Sequence, residues 1–231
     1  MENTKEKELP VDMLVEDILE VDVVMPVDSS KLALRLMTQQ TIDSLLKSEP
    51  DIKFNIFVID SNEHTVGFKD AKTILYDFPF NYHKCLNLGI GYGNAPYIVL
   101  CNNDLLFEWR WLTKTIRAMG DVYMSASPNN KPSKLSGIIE GYVVAKHVMG
   151  WCIVVKRDIF QKIGKLDESV NFWYSDNIYA EQLKRAGLKH ILVLHAKVLH
   201  LGSRTLMMIK NKYRLTKEQG KIFSKWKKHL N

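Results

Sequence analysis

No stretch of this chain approaches the roughly 18 to 20 uninterrupted apolar residues that a bilayer crossing needs, which predicts no transmembrane helix. Residues 1–8 are charged and lack an apolar run, so no signal peptide is expected. Cysteine is scarce: Cys85, Cys101 and Cys152 are odd in number and widely spaced, which argues against a disulfide framework or a cysteine metal cluster. Cys101 and Cys152 sit in apolar, strand-like runs, so buried free thiols and a cytoplasmic location are expected. Also missing are a Gly-x-Gly-x-x-Gly turn after the first strand and a Walker-type Gly-Lys-Ser/Thr, the two commonest phosphate-cradling loops. A nucleotide bound here needs another device for its phosphates, and a divalent cation such as Mg²⁺ or Mn²⁺ is the obvious one. No internal repeat or low-complexity segment is present.

What is present suits one α/β domain with extensions: 231 residues, 46% apolar and 25% charged. Residues 21–26 form a β-branched run stopped by Pro26, a buried strand. Leu32, Leu36, Ile42, Leu45 and Leu46 recur at helical spacing. Residues 54–59 and 97–101 read as further strands, with a helix over 81–90 between them. Strands alternating with helices predict a mixed, mainly parallel sheet flanked by helices, with ligands gathering beyond the carboxyl ends of the strands. Those ends carry Asp28, Asp60 and Asp104, three acids delivered to one edge.

The second half is less regular. Residues 125–136, rich in Ser, Pro, Asn and Lys, read as a loop, 152–155 as a strand and 157–163 as a short helix. A helix over 177–186 closes at Gly187, and short strands follow over 191–194 and 197–199. The net charge of +6 is concentrated near the C-terminus, at Lys210, Lys212, Arg214, Lys217, Lys221, Lys225, Lys227 and Lys228. That run is either a solvated helix face or a surface for a polyanion, nucleic acid or anionic membrane.

The serial motifs resemble those of family 2 glycosyltransferases with the GT-A fold. They run through Val23-Val24-Met25-Pro26-Val27-Asp28, Val58-Ile59-Asp60-Ser61-Asn62, Asn87-Leu88-Gly89 and Leu100-Cys101-Asn102-Asn103-Asp104. They continue through Gly150-Trp151-Cys152, Gly164-Lys165-Leu166-Asp167-Glu168, Trp173-Tyr174-Ser175-Asp176, His200-Leu201-Gly202-Ser203 and Phe223-Ser224-Lys225-Trp226. The chain also looks like short bacteriophage-encoded members, some of which glycosylate hydroxymethylated cytosine in phage DNA.

The resemblance implies a Rossmann-like single domain with a nucleotide-sugar-binding half over 21–104 and an acceptor-binding, catalytic half over 105–205. A 1–20 extension precedes them and a basic helical segment over 206–231 follows. It implies that Asp60 bonds the nucleotide base, that Pro26, Val27 and Asp28 line base and ribose, and that Asn87 lies near the nucleotide. Asn102-Asn103-Asp104 stands for the Asp-x-Asp motif with Asn in the first place, leaving Asp104 as the metal ligand, completed by His200. Asp176 stands for the catalytic base and Trp151 for a ring beside the donor. The implied reaction is inverting transfer from a nucleotide sugar, such as a UDP-sugar, to an acceptor hydroxyl. The acceptor is open between DNA, in host cytoplasm for a phage protein, and a polysaccharide or surface glycan. Aromatic Tyr213, Phe223 and Trp226, interleaved with lysines, suit nucleic acid. Two other classes are a non-catalytic nucleotide-sugar or nucleic-acid binder and a nucleotidyltransferase, the latter disfavoured by the missing glycine-rich loop.

Overall fold

The computed structural model describes residues 18–130, 136–202 and 212–229. The first strands are β1 (Glu20–Val27), β2 (Lys53–Asp60), β3 (Lys72–Leu75) and β4 (Tyr97–Cys101), with helices α1 (Leu32–Ser48) and α2 (Tyr82–Ile90) between them. These four strands pair in parallel in the order β3-β2-β1-β4. Then come β5 (Leu105–Phe107), α3 (Trp111–Met119), β6 (Ser125–Asn129), β7 (Ile138–Glu140) and β8 (Cys152–Lys156). The chain continues through α4 (Ile159–Ile163), α5 (Ser175–Arg185), β9 (His190–His200) and α6 (Lys212–Lys228).

The nine strands of the described residues join one sheet, in the path β3-β2-β1-β4-β8-β6-β9-β5 with β7 against β9. Direction reverses at β8, which is antiparallel to both β4 and β6. Among the described residues no helix is long and apolar enough to cross a membrane.

The central strands are almost continuously apolar because both faces of the sheet are covered. Val21, Val23 and Met25 of β1 join Ile42 and Leu45 of α1 and Trp111 of α3 on one face. Val24 joins Cys85 and Leu86 of α2 and Tyr179 and Leu183 of α5 on the other. A carboxylate from outside the helix opens α3: buried Glu49 accepts the Leu112 and Thr113 N–H groups at 2.7 and 3.0 Å. Such a cap contributes roughly 1 kcal/mol.

Two expectations are corrected. Residues 125–129 are strand β6, not loop, because Ser125 and Ser127 are buried with partners: Ser125 bonds Tyr179 and His190, and Ser127 accepts the Met149 N–H. Residues 131–135 lie outside the described residues. The two short strands over 191–194 and 197–199 are one strand, β9, whose register against β6 jumps from Pro128↔Val193 to Asn129↔Lys197. That bulge interrupts the alternation that a sequence pattern relies on.

Candidate active site

Parallel pairing with Val27 opposite Asp60 aligns the carboxyl ends of β1, β2 and β4 on one edge. Two cavities open there. One, of about 480 Å³, is bordered by Pro26, Val27, Asp28, Asp104 and, from α6, Leu215 and Gln219. The other, of about 690 Å³, is bordered by Trp151, Trp173, Asp176, Lys146 and His200. Tyr82, Asn102, Phe172 and Trp173 border both, so the two cavities meet at these side chains.

The β5–β9 ladder sets Leu105 opposite His200, and the Leu201 N–H bonds the Asp104 carbonyl at 2.9 Å. This brings His200 Nε2 to 3.2 Å from Asp104 Oδ1. Both atoms are buried and neither makes a hydrogen bond. Buried polar atoms are normally satisfied. Two ligand-type atoms left over side by side fit a cation that takes carboxylate oxygen and imidazole nitrogen, such as Mn²⁺ or Mg²⁺. Ligands each about 2.1 Å from one octahedral ion lie about 3 Å apart, which their separation matches. Trp151 stacks on the His200 ring at 5.4 Å and 18° and fixes its plane. Among the described residues no group of three His, Cys, Asp or Glu side chains converges, so a cation held by this pair would keep coordination positions open for ligand oxygens or water.

Across the second cavity, Asp176 lies in the first turn of α5. Burial raises its carboxyl above the ordinary range, partly offset by the N–H of Asn177, which donates to Oδ1 at 2.9 Å. Gly150 makes room for it, since a Cβ there would fall 2.8 Å from Asp176 Cβ and Oδ2. The helix cap is Tyr174, in the left-handed region at φ 70°, which costs roughly 1 kcal/mol. Three contacts from α6 hold this segment: Phe223 stacks on Tyr174 at 5.2 Å, Trp226 Nε1 donates to Asp167 at 2.8 Å, and Gln219 accepts the Phe172 N–H at 2.9 Å.

Of the residues singled out from sequence, Pro26, Val27, Asp28, Asn102, Asp104, Trp151, Asp176 and His200 border the cavities. Asp60 does not. It is fully buried and accepts the Ser29 N–H and hydroxyl and the Asn62 N–H, so it ties the β1 and β2 turns together. Asn87 is spent on Leu166 and Glu168 and borders neither cavity. Asn103 borders the first cavity, but its amide donates to Thr38 of α1. Phe223 and Trp226 face inward on α6, so of the three aromatics expected to meet nucleic acid only Tyr213 is exposed. Sequence reasoning missed Tyr82, Phe172 and Lys146, which lie between motifs and carry no pattern of their own.

Solved structures share this architecture. One is GalNAc-T7 in complex with UDP, GalNAc and Mn²⁺, at TM-score 0.66 and 12% identity over 80% of this chain and 44% of that one. The chain therefore spans less than half of that protein. Another is the catalytic domain of Drosophila β1,4-galactosyltransferase 7 in complex with xylobiose, at TM-score 0.56 and 13% identity, covering 87% of this chain and 81% of that one. The fold is GT-A. No protein-family model and no curated protein sequence matches the chain. In GT-A terms, the 480 Å³ cavity occupies the strand-end edge of β1 and β4, and the reversed strand β8 brings the second cavity alongside it.

Proposed function

We propose that this protein is an inverting, metal-dependent glycosyltransferase of the family 2 type, moving a sugar from a UDP-sugar to an acceptor hydroxyl. The observation that carries the reading is the meeting of two cavities, with the unsatisfied Asp104–His200 pair at their boundary and the buried Asp176 in the second. The GT-A neighbour holding UDP, GalNAc and Mn²⁺ supports the same class of donor. Asp28 and the Pro26-Val27 backbone border the nucleotide side.

Asp104 and His200 would hold the cation, and when bound it would supply charge neutralisation for the departing diphosphate. Asp176 takes the acceptor hydroxyl's proton as that oxygen bonds the anomeric carbon in line with the breaking carbon–phosphate-oxygen bond. Nucleoside diphosphate leaves on the opposite side, and configuration inverts. One carboxylate suffices because the leaving group needs no proton. Three buried free thiols suit a reducing, cytoplasmic compartment.

The 690 Å³ cavity, walled by Trp151 and Trp173, suits a saccharide acceptor. A nucleic-acid acceptor, hydroxymethylated cytosine in phage DNA included, is favoured by a different observation. Arg214, Lys217, Lys221, Lys225 and Lys228 recur every three or four residues and are exposed on the face of α6 opposite Gln219 and Trp226.

The test is release of nucleoside diphosphate from a panel of nucleotide sugars with Mn²⁺. Asp104→Ala should abolish turnover, and Asp176→Asn should cut it by about 10²–10⁴-fold with donor binding retained. Equal turnover in Asp176→Asn removes the base assignment, and a wild type that releases nothing but binds donor favours a non-catalytic binder.

A further inference from the structure

Position 102 is occupied by an amide at the boundary of both cavities, two residues from Asp104. Its backbone is fixed, since the Asn102 N–H donates to the Trp151 carbonyl at 2.9 Å. Its side chain is fixed by Tyr82, the first residue of α2, whose hydroxyl donates to Asn102 Oδ1 at 3.0 Å and lies 3.4 Å from the Gly150 carbonyl. Tyr82 is itself anchored from two sides. Its N–H donates to the Asn171 carbonyl at 2.7 Å, and Phe172 meets its ring edge-on at 5.8 Å. Burial, reinforced by surrounding acidic groups including Asp176 and Asp104, keeps the phenol protonated and so a standing donor.

With its oxygen held by the Tyr82 hydroxyl, Asn102 at the cavity boundary has the two N–H groups of Nδ2 to offer a ligand. We propose that Tyr82 is a positioning residue that makes Asn102 a hydrogen-bond donor to a phosphate or sugar oxygen of the nucleotide-sugar donor, and not a metal ligand. The inference rests on the glycosyltransferase reading and deepens it. Among the described residues, Asp104 and His200 then carry the cation alone. The charge missing at position 102 is replaced by a neutral donor that bonds the anionic diphosphate without a metal between them.

Two binding measurements test this, Mn²⁺ by electron paramagnetic resonance and UDP by calorimetry at saturating Mn²⁺. Asn102→Ala and Tyr82→Phe should leave Mn²⁺ affinity in the absence of nucleotide within about twofold, while Asp104→Ala abolishes it. Asn102→Ala should weaken UDP by about tenfold, Tyr82→Phe by several-fold, and the double variant no more than Asn102→Ala, because Tyr82 acts through Asn102. Asn102→Asp, which keeps the acceptor for Tyr82 but removes the N–H groups, should weaken UDP as Asn102→Ala does. Tighter UDP or Mn²⁺ binding in Asn102→Asp, or additive losses in the double variant, would overturn the assignment while leaving the enzyme reading intact. A wild type that binds neither UDP nor another nucleoside diphosphate with Mn²⁺ sinks both.

Discussion

At Asp176 burial works against charge, and that conflict has readable consequences. A base must be ionised to take a proton, so a carboxyl held above its ordinary range should move the acid limb of the kcat/KM profile upward. Turnover should rise with pH across a window above the usual carboxylate range of about 4. The sign for stability is opposite. The folded state holds this proton more tightly than the unfolded chain does, so ionising Asp176 weakens folding as pH rises through the same window. Asp176→Asn should therefore raise the melting temperature at neutral pH while removing activity. A lower melting temperature in that variant contradicts the burial argument. At this scale the sequence offers candidates but no orientation. Asp28, Asp60 and Asp104 look alike as strand-end acids, yet Asp60 is closed off by Ser29 and Asn62, while Asp104 is left with an unsatisfied oxygen. The difference lies in which turn reaches back to which carboxylate, and side-chain type does not encode that.

Elements show where the second half is tied to itself. Ser125 of β6 bonds Tyr179 of α5 and His190 Nδ1 of β9, both at 2.7 Å, and His190 Nε2 meets the His147 carbonyl at 3.2 Å. Burial pushes the His190 pKa down to about 3. An unfolded histidine takes a proton below about pH 6.5 and the folded one does not until far lower, so this group's stabilisation is lost progressively as pH falls from about 6.5. His190→Gln should be less stable at pH 7.5 yet lose less further stability between pH 6.5 and 5 than the wild type, measured by urea unfolding. An equal or steeper acid loss in the variant would exclude His190 as the source. Strands β1, β2 and β4 of the parallel half were readable because they are apolar on both faces and end in turn residues. β6 was not, since buried serines, Pro128 and Asn129 imitate a loop. Helix α3 left a usable signal, with Trp111, Leu112, Thr115 and Met119 buried at helical spacing. Strands β3, β5 and β7, three or four residues each, are too short for a period to emerge.

For the molecule as a whole, α6 joins surface charge to the site. Its inner residues Leu215 and Gln219 border the 480 Å³ cavity and its outer stripe runs about 21 Å at 1.5 Å per residue. If that stripe meets phosphates, affinity for duplex DNA should fall linearly in log–log with salt. A Lys217→Glu, Lys221→Glu, Lys225→Glu variant should then bind at least tenfold more weakly while its donor hydrolysis is unchanged. Negligible wild-type binding at low salt points to a saccharide acceptor. The charge run was legible from composition alone. Its division into an outer cationic stripe and an inner aromatic face needed the contacts with Tyr174 and Asp167.

The reversal at β8 bears on how such a protein diversifies. Because β8 runs against β4, the loop after Cys101 leaves the sheet where Gly150 and Trp151 are about to enter it. Changes in the stretch that arrives at β8 would therefore fall beside the 690 Å³ cavity and on the contacts of Trp151 and Gly150 with Asn102 and Tyr82, while the parallel pairing of β1, β2 and β4 is left as it is. A single antiparallel step thus separates the wall that shapes one cavity from the strands that shape the other.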